Sequence, residues 1–361
     1  MIENVSKKKV ALSCATLALI FLLLPRFLPA NDFLISANVV NQHTIRIDFK
    51  IPEDSPGTEL FLYRSTVKLT SPNIDKVRYP VAEFRIDSEK NPETFFDHYA
   101  AHNVTYFYLA FIRHKDRDEI LSSSNTVEIL TPDITIEELT EPVILINKRH
   151  YYLEIQNDGK TAKRYPLSLG RDPFKRKLHQ DNKTTPEGLY RIINLQEKAT
   201  FYKAIDINYP NALDRIRYDF MKAEGLVLEN RGIGGEIQIH GQHARWGSIL
   251  RNWTWGCISL RNTDMDEIFN LSALKNGIPV VIFGYEFSLE DLISLEEERP
   301  FEMIKDAQKK LSEIGVYKGS IDGILGRQTQ FAIGRFQKDQ GLPISCVLDA
   351  QTVDLLLNIP R

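Results

Sequence analysis

One stretch, from Gly235 to Glu267, constrains this chain more than any other. Residues 236–239 alternate polar and apolar side chains, which predicts a short strand. His240 and Gly241 follow it at once, and Cys257 stands seventeen positions after the histidine, with a glycine before it. A thiol and an imidazole on separate elements, each beside a glycine that permits close backbone approach, indicate a nucleophile and its base. The alternative is structural, namely a small buried cysteine and a hydrogen-bonded histidine.

His243 permits another interpretation, in which His240, His243 and Cys257 ligate zinc. Three protein ligands and a water suffice for a catalytic zinc, but an H-x-x-H pair usually stands on a helix. Here the pair follows a predicted strand and contains Gly241. We therefore expect a thiol mechanism without metal or cofactor. The residues around Cys257 also lack the local setting of a papain-like protease.

Composition excludes several classes of protein. The 361 residues, 43% hydrophobic and 26% charged, can form two or three globular domains. A net charge of −3 gives no electrostatic reason to expect a nucleic acid partner. The three cysteines, Cys14, Cys257 and Cys346, imply no disulfide framework.

The N-terminal segment, residues 1–30, predicts export. Lys7–Lys9 precede an apolar run over residues 10–24, and Leu28-Pro29-Ala30 is similar to a cleavage site. The run is shorter than the roughly 20 residues of a full span, so a cleaved signal peptide and an uncleaved membrane anchor both stay open. In either case we expect the body in the periplasm or cell envelope, held at the inner membrane if residues 10–24 remain.

Short alternating segments between residues 31 and 134 predict a β-sandwich. The segments are 35–39, 44–49, 60–63, 81–86 and 105–112. The stretch from Phe96 to Val127 resembles the last strands of a fibronectin type III domain, with Tyr106 or Tyr108 as its corner tyrosine. No catalytic constellation is present in this part of the sequence, so we expect a spacer or a contact surface.

The rest of the chain predicts two further domains. Residues 135–287 are mostly β, with a hairpin turn at 157–159 and a helix over 211–224. Residues 288–300 are acidic and predict a helical linker. Three helical stretches, around 304–314, 329–340 and 348–357, then predict a small three-helix domain over 301–358.

The segment from Pro142 to Gly284 resembles the L,D-transpeptidase catalytic domain, which has the YkuD-like fold. Four motifs carry the resemblance, namely Leu167-Ser-Leu-Gly170, Thr185-Pro186-Glu187-Gly188-Leu-Tyr190, Tyr209-Pro210-Asn211…Asp214 and Ile239-His240-Gly241…Thr254-Trp255-Gly256-Cys257-Ile258. It implies that Cys257 is the nucleophile and His240 the base, held by a carbonyl near Gly241. It also implies an oxyanion hole around Gly256 and Cys257. We place further oxyanion or substrate contacts at Thr254, Trp255, Ser259 and Arg261, and the substrate cleft at His243, Tyr209 and Thr185.

Two positions depart from the commonest pattern of this family. Trp255 stands where many members have a histidine before the Gly-Cys pair, and Ser259 stands where many have an arginine. Catalysis is expected to survive, because His240 is the base. Recognition of the substrate carboxylate loses its usual arginine, and Arg261 is either its replacement or an exposed surface ion.

Residues 301–358 resemble a three-helix peptidoglycan-binding domain. The resemblance rests on Leu311…Gly315…Gly319…Ile321-Asp322-Gly323-Ile-Leu-Gly326…Thr329…Phe336-Gln337…Gly341-Leu342. It implies a ligand site that includes Asp322, Gly323, Gly326, Thr329 and Phe336, although Asp322 and Gly323 can equally form only a turn.

Together these features predict an exported peptidoglycan L,D-transpeptidase that acts in cell wall biogenesis and cell shape. Its expected partners are stem peptides and glycan, with another wall peptide or a wall-anchored protein as acyl acceptor. One alternative is an L,D-carboxypeptidase or endopeptidase that hydrolyses the same bonds. Another is a non-catalytic scaffold that binds the cell wall.

Overall fold

The computed structural model describes residues 33–53, 55, 57–69, 80–86, 91–114, 119–175, 177–243 and 252–358. The predicted signal or anchor, residues 1–30, lies outside these ranges. Within them, no helix combines the length and apolar character needed to cross a bilayer.

The first domain is a β-sandwich, as the alternating segments predict. Its strands are β1 (Leu34–Asn41), β2 (Thr44–Lys50), β3 (Thr58–Ser65), β4 (Ala82–Ile86), β5 (Thr94–Asp97), β6 (Thr105–His114), β7 (Ile120–Ser123) and β8 (Val127–Leu130). One sheet has the order β1-β2-β5 and the other β4-β3-β6-β7, with β8 also paired to β6. Ile35 and Ile47 of the first sheet share one core with Leu60 and Tyr108 of the second. The likeness to a fibronectin type III domain stays a prediction.

The two tyrosines of β6 have different roles. The hydroxyl of Tyr106 accepts a hydrogen bond from the backbone N–H of Ala101 at 3.0 Å, which is the arrangement of a corner tyrosine. The hydroxyl of Tyr108 instead donates to Asp97 at 2.7 Å, and the same carboxylate pairs with the buried Arg64. Arg64 also donates to the carbonyl of His150 in the next domain, so this network joins the two domains.

The second domain contains an eight-stranded sheet. Its strands are β9 (Pro142–Asn147), β10 (Tyr152–Asn157), β11 (Lys160–Pro166), β12 (Gly188–Ala199), β13 (Tyr202–Ile207), β14 (Gln238–His240), β15 (Ile258–Ser259) and β16 (Pro279–Phe283), in the spatial order β11-β10-β9-β16-β12-β13-β14-β15. Asp158 and Gly159 turn β10 into β11 with φ values of 50° and 72°, as a type I′ hairpin turn requires. The helices are α1 (Ala212–Ala223) and α2 (Asn262–Phe269). An Asn211 capping box begins α1, which confirms the predicted helix.

The strand before His240 is shorter than the alternation predicts. It begins at Gln238 and not at Glu236, because Glu236 has a φ of 56°. This left-handed conformation cannot continue an extended strand.

The acidic segment 288–300 is more than a linker. It contains α3 (Leu289–Ser294), which has a Ser288 capping box. Leu292 is fully buried against Leu145 and Val281 of the sheet. This hydrophobic contact fixes the segment to the second domain.

The third domain consists of α4 (Phe301–Glu313), α5 (Arg327–Asp339) and α6 (Ala350–Leu357). Two buried glutamines organise its loops. The amide of Gln308 on α4 binds Asp322, Thr329 and the Gly323 N–H. The amide of Gln337 on α5 binds the loop that leads into α6 in the same way, through contacts to Ser345, Val347, Asp349 and Thr352.

The helical domain packs directly on α1 of the second domain. The rings of Phe220 and Phe331 meet edge to face, with centroids 5.6 Å apart. Cys346 is fully buried in the same contact, and the guanidinium of Arg217 donates to the Ile344 carbonyl at 2.9 Å. Leu178, from the loop between β11 and β12, packs against this cluster. The helical domain is therefore part of one packed body with the second domain.

Candidate active site

The pairing of β14 with β15 determines where the predicted nucleophile and base lie. The strands are parallel, with Ile239 opposite Ile258 and His240 opposite Ser259. Paired residues of neighbouring strands share a face of the sheet, as do residues two apart on one strand. Cys257 directly precedes β15, two residues before Ser259, so the same alternation, continued by one residue, would put its thiol on the face of the His240 imidazole.

The imidazole of His240 is held in one orientation. Its Nδ1 lies 2.7 Å from the carbonyl oxygen of Gly241, and since a carbonyl only accepts, Nδ1 carries the proton. Nε2 is then the free, basic nitrogen. The rings of Phe201 and Trp253 pack against the imidazole, with centroids 4.9 and 5.6 Å away. Burial among them lowers the pKa of His240, while the hydrogen bond to Gly241 opposes that change, so the ring is a neutral base at pH 7.

Ser259 supports this histidine and does not contact substrate. Its side chain is fully buried, and its hydroxyl donates to the Gly241 carbonyl at 3.2 Å. The carbonyl therefore accepts from both His240 and Ser259. The prediction that Ser259 contacts substrate is wrong, because no substrate can reach a buried hydroxyl that is already bonded.

The thiol of Cys257 rests against the backbone that enters β14. It lies 3.6 Å from the carbonyl oxygen of Glu236, whose left-handed conformation turns that carbonyl toward the sulfur. Burial raises the pKa of Cys257, and the Gln238 N–H and the charge of Lys177 oppose this rise. The resting nucleophile is thus a neutral thiol, which needs a base during attack.

The turn before the nucleophile is closed by Thr254. Its hydroxyl donates to the Cys257 carbonyl at 2.6 Å and accepts from the Gly256 N–H at 3.2 Å. Gly256 has a φ of 130°, and a Cβ there would lie 2.9 Å from the Thr184 carbonyl oxygen, so only glycine fits. The Gly256 N–H is bonded to Thr254 in this structure, and its oxyanion role stays a prediction. The Cys257 N–H makes no hydrogen bond to any residue that the structure describes, and it is the better oxyanion donor.

Arg261 and Trp255 lie at the rim with different surroundings. Arg261 forms two hydrogen bonds to Asp264, both 2.7 Å, and a third to the Asn103 carbonyl of the first domain. Its guanidinium is engaged at the start of α2, so the proposed replacement for the missing arginine is wrong. Trp255 is 58% exposed, with the Lys183 ammonium 4.9 Å from its ring centre, and its role as a substrate contact stays a prediction.

The three residues predicted to line the substrate cleft have different surroundings in the structure. Thr185 is fully buried and accepts from the Gly170 N–H at 3.0 Å, so it is structural. Tyr209 is buried and lines a small pocket together with Lys177 and Asp214. His243 is partly exposed, with its ring against Phe201. Within the described ranges, His, Cys, Asp and Glu side chains form no cluster of three that could hold a metal.

Sequence reasoning missed two charged residues next to the site. The first is Lys177, whose ammonium lies 3.6 Å from the position that a Cβ on Gly256 would take. Its signal was the basic character of the loop 170–183. The second is Glu187 of the Thr-Pro-Glu-Gly motif, which accepts from the N–H groups of residues 285–287 and pairs with the buried Lys148 at 2.9 Å.

Two parts of this chain match known protein families. Residues 141–282 match the YkuD model, the L,D-transpeptidase catalytic domain. These residues form a YkuD domain. Residues 302–356 match a peptidoglycan binding domain. The YkuD match spans β9 to β16 almost completely, and the second match spans α4 to α6.

Individual relatives are distant or short. The localization factor PodJL of Caulobacter vibrioides is 42% identical over 50 residues, which cover 14% of this chain and 5% of that protein's length. An L,D-transpeptidase of Xylanimonas cellulosilytica is 16% identical, with a TM-score of 0.28, and the match covers 42% of this chain and 64% of that one. The helical cell shape determining protein Pgp2 of Campylobacter jejuni is 19% identical, with a TM-score of 0.32, over 55% of this chain and 68% of that one. L,D-transpeptidase 1 of Mycobacterium tuberculosis is 13% identical, with a TM-score of 0.25, over 53% and 77%.

The five residues predicted for the ligand site of the peptidoglycan binding domain are mainly structural. Thr329 and Phe336 are buried, and Gly326 is the N-cap of α5. Asp322 binds Gln308 and the Ile324 N–H, and a Cβ on Gly323 would lie 2.4 Å from the Phe301 ring. Asp322 and Gly323 therefore form a turn.

Proposed function

We propose that this protein is an exported peptidoglycan L,D-transpeptidase that transfers an acyl group through a thioester on Cys257. The observation that supports the proposal is the pairing of β14 with β15, which brings the segment that begins at Cys257 beside His240, whose Nδ1 is fixed by the Gly241 carbonyl. That arrangement leaves Nε2 of His240 as the base for the thiol proton. The YkuD domain and the peptidoglycan binding domain in one chain support stem peptides as the substrate.

The proposed reaction begins on the L-centre carbonyl of a diamino acid in the stem peptide. The Cys257 sulfur attacks the carbonyl carbon as His240 Nε2 takes the thiol proton. The oxyanion that forms accepts from the Cys257 N–H. Collapse breaks the C–N bond, and the leaving D-amino acid takes the proton from His240. A second amine then loses a proton to His240 and attacks the thioester, which forms the new amide and restores the thiol.

The pKa shifts give this proposal a pH dependence. Because burial lowers the pKa of His240 below its usual value near 6.5, the base stays deprotonated in mildly acidic buffer. We expect kcat/KM to stay constant as the pH falls from 7.5 to about 6.5. The acid limb then appears at a lower pH than for an exposed histidine.

Purified tetrapeptide muropeptides provide the decisive assay. A transpeptidase yields cross-linked or D-amino-acid-exchanged products, whereas tripeptide alone assigns the protein to the hydrolases. We expect Cys257→Ala to abolish turnover. Cys346→Ala is the matched control, because Cys346 is a buried thiol that takes no part in the proposed reaction. If Cys257→Ala turns over muropeptides as the unmodified protein does, the acyl-transfer proposal fails.

A second measurement separates the enzyme from a non-catalytic scaffold. Intact mass spectrometry after exposure to a carbapenem should show one covalent adduct, on Cys257. A scaffold predicts no adduct and no phenotype for Cys257→Ala in cells. Export is tested separately by fractionation of cells, and retention of the full-length chain in the cytoplasm would refute it.

A further inference from the structure

Lys177 is a cation beside the nucleophile for which the described residues supply no hydrogen-bond or ion-pair partner. It lies in the loop between β11 and β12, and its ammonium lies 3.6 Å from where a Cβ on Gly256 would be. Within the described part of the chain it forms no hydrogen bond and no ion pair, although its side chain is partly buried. A partly buried lysine without a partner is unfavourable in the free protein, which points to a ligand that completes it.

The charges around Lys177 keep it available for an anion. The titratable groups that act on the pKa of Lys177 are Cys257, Asp181 and Lys148. Asp181 is already paired with Arg231. Lys148 is itself a cation and repels the Lys177 ammonium. Burial lowers the pKa of Lys177 to about 8, so most of the protein carries the ammonium at pH 7.

Four other described cations around the site contact protein groups. Arg261 is bound to Asp264, Arg217 to Glu286, Lys148 to Glu187, and Lys183 lies over Trp255. Ser259, where many family members have an arginine, is buried and uncharged. A carboxylate on the substrate therefore finds one uncommitted cation next to the thiol among these described residues, and it is Lys177.

We propose that Lys177 binds a carboxylate of the donor peptide next to the scissile bond, which makes it a substrate-binding residue of the acyl transfer. The proposal rests on the function proposed above. The ammonium and the carboxylate form a charge-assisted hydrogen bond in a partly buried site. The donor is then positioned with its reactive carbonyl over the sulfur, and donors without that carboxylate are rejected.

Alkylation of Cys257 tests the anion site without any turnover. Iodoacetate carries a carboxylate and iodoacetamide does not, so the ratio of their rates reports attraction of an anion to the thiol. At pH 7 we expect Lys177→Gln to lower this ratio about tenfold, the size of one charged hydrogen bond. Lys177→Arg should retain most of it. Lys175→Gln, an exposed lysine of the same loop, is the matched control, and mass spectrometry of the Cys257 peptide gives the rates.

Turnover of two donors tests the role in the reaction. One donor has a free carboxylate on the diamino acid, and in the other this group is a carboxamide. Lys177→Gln should raise KM for the first donor about tenfold and leave the second unchanged. An unchanged alkylation ratio in Lys177→Gln overturns the proposal. An equal loss of activity with both donors, or an equal loss of rate with both reagents, also overturns it, because Lys177 would then act only by stabilising the Cys257 thiolate. If the ratio falls as expected but the unmodified protein turns over neither donor, the anion site stands and the transpeptidase function fails.

Discussion

Gly241→Ala tests the orientation of the base, because Gly241 supplies the carbonyl that binds His240 Nδ1. A Cβ at this position would lie 2.5 Å from Asn262 Oδ1, 2.8 Å from Tyr202 Cβ and 3.0 Å from the Phe201 carbonyl oxygen. Carbon contacts normally begin at about 3.5 Å. Two of the three atoms belong to Phe201, in the turn between β12 and β13, and to Tyr202, the first residue of β13, so the Gly241 backbone, and not this hairpin, has to move.

The Gly241 backbone has to move by roughly 0.5–1 Å, which is the difference between these three distances and the ordinary contact distance. It lengthens the 2.7 Å hydrogen bond between His240 and the Gly241 carbonyl beyond the usual range. A misplacement of this size costs about 100-fold in rate. Overpacking at Gly241 also lowers the free energy of unfolding by about 1–3 kcal/mol. In a protein of this size each kcal/mol lowers the melting temperature by only about 2–4 °C.

Gly235→Ala is the matched control for this prediction. Gly235 lies in the same segment, and the nearest atom to its Cβ would be Pro210 Cδ at 3.8 Å, an ordinary contact. We expect Gly241→Ala to fold, to keep alkylation of Cys257 by iodoacetamide, and to lose about 100-fold in kcat with a tetrapeptide donor. Wild-type kcat in Gly241→Ala, or an equal loss in Gly235→Ala, would refute the argument that the Gly241 carbonyl positions the base.

Three further changes have defined outcomes. Ser259→Ala removes the second donor to the Gly241 carbonyl and should lower kcat about fivefold. Ser168→Ala, at a buried hydroxyl that no described residue bonds, should have little effect, and equal kcat values in the two variants would contradict this. Glu187→Gln leaves the buried Lys148 charge unpaired and should lower the free energy of unfolding by about 3–5 kcal/mol in urea titrations, and a loss below about 1 kcal/mol would argue against the pair. Burial lowers the pKa of His102 to about 4, so the unfolded chain binds the extra proton between pH 6.5 and 4. Stability should then fall on acidification through that window, by up to about 3 kcal/mol, and His102→Gln should flatten the curve of stability against pH.

Local patterns were enough to predict most elements of the fold. The alternation of β1 to β4, the Asp158-Gly159 turn and the Asn211 cap act over a few residues, and each formed as predicted. The strand before His240 was the exception in the site. Its first residue, Glu236, is left-handed, and residue type alone gives no warning of this for a glutamate.

Hydrogen bonds formed in the folded chain, most of them to near neighbours in sequence, decided the roles at the rim of the site. Ser259, Thr254 and Arg261 all stand beside the nucleophile in the sequence, and all three were predicted to face substrate. Each is instead bonded to the protein, to Gly241, to Cys257 and Gly256, and to Asp264. Neighbours in a strand or turn alternate between solvent and interior, so nearness in sequence does not fix exposure.

The sequence by itself determined the identity of the chemistry: a thiol, an imidazole and two glycines in an order that allows a nucleophile and a base. It also determined the three-domain order, because periodicity and turn residues act locally. Only the tertiary structure decided which groups complete the site. Lys177 lies 80 positions before Cys257, and no short-range pattern connects a loop lysine to a cysteine. Packing of Leu178 against α1 and the helical domain holds this loop beside the thiol, where we propose that Lys177 binds the substrate carboxylate.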